Sequence, residues 1–150
     1  LSGGESSRLS KALVDEQQKA LFVGNFPLPM EDPGASLVFA VCNMGNDPQA
    51  VEASLDAEIE KVKNELISER EFQKLQNQVE NNFVSSNSRV AGIAESLANY
   101  HMYFGDANLI NTEIDRYLAV TREDIQAAAK KYYTKDNRVV LYYLPKSEQN

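Results

Sequence analysis

Residues 21–44, LFVGNFPLPMEDPGASLVFAVCNM, decide the fold class. Two β-branched and aromatic runs, 21–29 and 36–44, flank Met30-Glu31-Asp32-Pro33-Gly34, where proline fixes φ and glycine frees it. The pattern predicts two adjacent antiparallel strands joined by a turn. Downstream, Asp47-Pro48 pairs an N-cap acceptor with a proline at the first helical position, and Val51, Leu55, Ile59, Val62 and Leu66 recur at helical spacing. Ser68 and Glu71 form a capping box ahead of a second stripe, Phe72, Leu75, Val79 and Phe83. A third stripe, Val90, Ile93, Leu97, Tyr100 and Phe104, stops at Gly105. Two shorter helices follow over 108–120 and from Thr121 onward, the latter with Ala127, Ala128 and Ala129 permitting close packing. RVVLYYL, 138–144, reads as a last strand stopped by Pro145.

Ahead of the hairpin, LSGGESSRL reads as a glycine turn releasing into a helix capped by Ser6 or Ser7, with Leu9, Leu13 and Leu21 on its apolar side. The sum is an α+β arrangement: an antiparallel sheet covered by helices, not alternating βαβ units. Three strands are few for so many amphipathic helices. The chain also begins at Leu1 with no charged and apolar leader, so it reads as processed or truncated, with strands ahead of Leu1 expected to complete the sheet. Residues 1–145 are expected to be one domain and KSEQN, 146–150, a disordered tail. An open sheet edge attracts other chains, so self-association as a homo-oligomer is expected.

Composition narrows the function classes. The 150 residues are 43% hydrophobic and 25% charged, and 22 acidic against 15 basic side chains give a net charge of -7. That balance argues against nucleic acid as a partner, because release of condensed counterions needs a basic footprint. No apolar run reaches the ~20 residues of a membrane span. Cys42 is the single cysteine, which excludes an internal disulfide and fits either a reducing or an exported setting.

No catalytic set emerges from the residues alone. LSGGE is similar to phosphate-holding loops of ABC-type ATPases, but the strand ending in Asp-Glu that should follow is missing: Leu13-Val14-Asp15-Glu16 has only two apolar residues and lies in a helical pattern. His101 is the only histidine, and zinc wants several converging nitrogen or sulfur ligands, so it reads as a packed or half-exposed side chain. Cys42, in a strand-like run, reads as an inert thiol. The acids Glu58, Glu60, Glu65, Glu69 and Glu71 interleave with Lys61, Lys63 and Lys74 as on a solvated helix face. The doublets Tyr132-Tyr133 and Tyr142-Tyr143 read as packing residues.

The order of motifs says more. LSGGESSRLSKALVDEQ (1–17), EDPG (31–34), LISEREFQKLQNQVENNF (66–83), YFGDANLINTEIDRYLAVTREDIQAAAKKYY (103–133) and NRVVLYYLP (137–145) together resemble the second domain in each half of the pitrilysin or insulinase family of zinc peptidases, which includes the mitochondrial processing peptidases. The resemblance implies a zinc-free C-terminal domain in a two-halved, clam-like enzyme that closes around unfolded peptide. It implies that zinc is held by an H-x-x-E-H motif in another domain, so this segment needs no cofactor of its own and is inactive alone, while the parent is a zinc metallopeptidase. Implied partners are the peptide substrate, the catalytic domain and the second half. In many zinc-free halves an arginine on the helix after the SSRL turn and a tyrosine seven residues later reach toward the substrate carbonyl. The aligned positions here are Val14 and Leu21, which cannot donate hydrogen bonds to an oxyanion, so that role does not transfer. The alternative is an assembly scaffold in a protease-derived protein without peptidase activity.

Overall fold

In the computed structural model, residues 6–28, 30–32 and 34–144 are described. The element order is a π-type helix at Ser10–Glu16, strands β1 (Ala20–Leu28) and β2 (Ala35–Cys42), helices α1 (Pro48–Asn64), α2 (Glu69–Ser86), α3 (Val90–Phe104), α4 (Leu109–Leu118) and α5 (Arg122–Tyr132), then a 3-10 turn at Lys135–Asn137. The two strands form one antiparallel sheet, and the fold is α+β as the sequence predicts. The glycine turn of residues 1–5, Pro33 of the hairpin turn, the stop at Pro145 and the tail 146–150 lie outside the described residues. The chain divides into two compact units, one containing residues 1–27, 36–64 and 127–150, the other 28–35 and 65–126.

The first unit is organised by a dry cluster. Leu9 and Leu13 are fully buried, and Ala12, Ala20, Val23 and Val51 complete the core, with Val14, Val38, Ala40, Cys42 and Leu55 packed against it. Period-2 alternation sorts the hairpin: Val38, Ala40 and Cys42 turn inward, while Leu37, Phe39 and Val41 stay exposed. Phe39 lies on that outer face between Phe22, with ring centroids 5.5 Å apart, and Phe26, at 5.8 Å. α1 starts as its sequence dictates, the Gln49 N–H donating to Asp47 Oδ1 at 3.1 Å just after Pro48.

Ser7 stands ahead of the first helical residue; its carbonyl accepts from the Lys11 N–H at 3.0 Å and its hydroxyl donates to the Ser10 hydroxyl at 3.0 Å. That helix does not carry Leu21. It ends at Glu16, Gln18 adopts a positive φ of 52°, and the chain reverses into β1, leaving Leu21 on the strand and 61% exposed. A second departure concerns the last strand. Arg138 is extended (φ -142°, ψ 155°), but 138–144 joins no ladder among the described residues, so two strands are present and not three. A strand exists only where a neighbour exchanges backbone hydrogen bonds with it.

The second unit is held at its helix ends. Ser68 caps α2, its hydroxyl accepting from the Glu71 N–H at 3.2 Å. Gly105 closes α3 in the left-handed region, φ 71°, donating its N–H to the His101 carbonyl at 3.0 Å. Thr121 and Asp124 form a reciprocal box on α5: the Thr121 hydroxyl accepts from the Asp124 N–H at 3.1 Å, and Asp124 Oδ2 accepts from the Thr121 N–H at 2.9 Å. Gly34 is required by packing, because a Cβ there would sit 2.2 Å from the Leu28 carbonyl oxygen. The α2 stripe of Phe72, Leu75, Val79 and Phe83 is half-buried as expected. Of the α3 stripe only Tyr100 is half-buried: Val90, Ile93, Leu97 and Phe104 are exposed, and the other half-buried residues of the helix are Gly92 and Ser96. Small residues at Gly92 and Ser96 let α3 approach its neighbours, and Tyr100 reaches Glu113 of α4 by a hydrogen bond.

Candidate functional site

The most developed polar constellation lies on α1. Glu52 and Asp56, one turn apart, meet Arg138 and Tyr142, which lie four residues apart in the extended segment and hence on one face of it. Arg138 Nη2 donates to Glu52 Oε1 at 2.8 Å and to Asp56 Oδ2 at 3.1 Å, its Nη1 donates to Asp56 Oδ1, and the Tyr142 hydroxyl donates to Glu52. Donation to the Asp56 carboxylate strengthens the guanidinium's hold on its proton, and donation to Glu52 raises the Tyr142 pKa. Three of the five N–H groups of the arginine are spent on two carboxylates, so the group fastens 138–142 to α1.

Beside it, Ser54 is buried, accepts from Lys19 Nζ at 2.8 Å and has Gln17 Oε1 at 2.8 Å and the Ala50 carbonyl at 3.0 Å as acceptors. A nucleophilic serine needs an open approach and a free base; this one is enclosed and saturated. Glu58, 4% exposed, is paired with Lys61 on the same helix. Neither Glu52, Asp56 nor Ser54 stands out by motif. The available signal was the pairing of an i,i+4 acidic couple on α1 with an arginine and a tyrosine sharing one face of the last strand-like segment.

The two positions aligned with the substrate-facing pair are separated by the fold. Val14 is on the π-type helix, packed against the core cluster, and Leu21 is exposed at the start of β1. His101 is exposed on α3, and Cys42 is half-buried against the core. Among the described residues no group of three histidine, cysteine, aspartate or glutamate side chains could hold a metal ion, so the donor set does not fit a zinc centre. No helix is long and apolar enough to cross a membrane among the same residues.

Comparison with known proteins places this geometry. The profile of the family described as the peptidase M16 inactive domain matches residues 1–79, just over half of the chain. The chain belongs to the peptidase M16 inactive-domain family. Among solved structures, this M16 domain is similar to a protein assigned as a zinc protease from Bordetella pertussis Tohama I, at 25% identity and a TM-score of 0.81, covering 95% of this chain and 78% of that one. The inactive peptidase domain of another protein assigned as a zinc protease, from Bordetella parapertussis, shares the fold at 24% identity and a TM-score of 0.85, covering 99% and 80%. A protease from Helicobacter pylori shares it at 21% identity and 0.79, covering 89% of this chain but only 32% of that longer one. Comparison with curated proteins finds no match. The resemblance drawn from the five ordered motifs is thus to the right family and to its C-terminal, inactive type of domain.

Proposed function

We propose that this M16 domain is a non-catalytic, chamber-forming part of a zinc metalloendopeptidase that hydrolyses unfolded peptides, with residues 1–145 acting as one C-terminal domain of a peptidase half. The observation that carries the reading is the family match across residues 1–79, made to an inactive domain, in a chain whose most developed polar cluster pairs its arginine with two carboxylates of α1. Zinc would be held by residues of another domain of the parent and would polarise the scissile carbonyl and activate water there. What this chain's residues do is build a rigid wall: the dry cluster fixes the hairpin on α1, and the Arg138 lock fastens the C-terminal extended segment to the same helix. Its partners in this reading are the catalytic domain, the second half and the enclosed peptide.

The test uses the full-length parent with a quenched-fluorescence peptide. Zinc-dependent cleavage abolished by a chelator, with the 150-residue chain silent under the same conditions, is the expected result. Cleavage by the isolated chain would overturn the non-catalytic assignment, and a full-length protein that cleaves nothing would make it an assembly scaffold. A folded protein carrying the same cleavage sequence should resist, because a closed chamber admits only extended chain.

A further inference from the structure

We draw no further inference here: the strongest candidate, the outer face of the β1–β2 hairpin, where Phe22, Phe26 and Phe39 lie exposed beside Leu37 and Val41, is an unpartnered apolar face, and nothing in the structure shows what covers it.

Discussion

Leu9 and Leu13 of the first unit are fully buried, whereas α2, α3 and α4 of the second contain no buried residue at all. The first unit thus takes its stability from apolar burial, at about 25 cal/mol per Å² removed from water. The second relies on caps and polar contacts: Ser68, Gly105 and the Thr121–Asp124 box, the Ser96 hydroxyl on Asn87 Oδ1 at 2.8 Å, and Arg122 on the Ile67 carbonyl at 3.2 Å. Contacts of this type contribute about 1 kcal/mol apiece and open more readily than a core. Amides of α2 to α4 should therefore exchange with solvent well before those of β1 and α1.

The largest effect is expected at Leu13. Leu13→Ala leaves a cavity in the cluster that holds the hairpin to α1 and should cost about 2–5 kcal/mol, read by denaturant unfolding, with exchange protection of β1 and α1 lost first. A cost under about 1 kcal/mol would mean that the cluster collapses around the gap, and would erase the contrast between the units.

Gly92→Ala sharpens it from the other side. In an exposed helix the change should stabilise by about 1 kcal/mol. Here the added Cβ would lie 1.9 Å from the Ser86 carbonyl oxygen, a backbone atom that cannot swing aside. A net loss of about 1–3 kcal/mol is expected, with α2 and α3 protection falling together. A gain in stability would show that the start of α3 is loosely placed against the end of α2. Ser68→Ala comes next, at about 1 kcal/mol, because it removes the acceptor for the Glu71 N–H and little else.

Local rules made the caps and strands legible. Asp47-Pro48, Ser68 with Glu71, Gly105 and Thr121 with Asp124 act through atoms a few residues apart, so the sequence carries all that is needed to place them. Leu21 failed because an apolar residue at helical spacing is also an apolar residue at the start of a strand, and the positive φ at Gln18 that separates the two has no glycine to announce it. The last strand failed for a different reason: pattern specifies which residues can pair but not whether a neighbour is there. On α3 the apolar stripe was visible in the sequence, yet which side of a helix is covered depends on its neighbours: of the stripe only Tyr100 is half-buried, beside Gly92 and Ser96 which lie off it. The Arg138 lock escaped for the same long-range reason, its partners lying more than eighty positions away.

Tyr100 gives the smallest effect and the most specific one. Its hydroxyl donates to Glu113 of α4, and burial, followed by that hydrogen bond and the Glu113 charge, pushes its pKa from 10.0 up to about 12. The folded second unit therefore prefers the neutral phenol more than the unfolded chain does. The stabilisation is complete below pH 10 and is lost as pH climbs from 10 toward 12, because the unfolded chain gives up this proton first. Tyr100→Phe should cost about 1 kcal/mol at neutral pH, since the half-exposed Glu113 turns to water once the hydroxyl is gone. The variant should also lose less stability than the parent sequence between pH 9 and pH 11, because the group responsible for that slope is absent. Identical alkaline slopes for the two proteins would mean that the contact is not formed in solution, leaving α3 and α4 joined by packing alone.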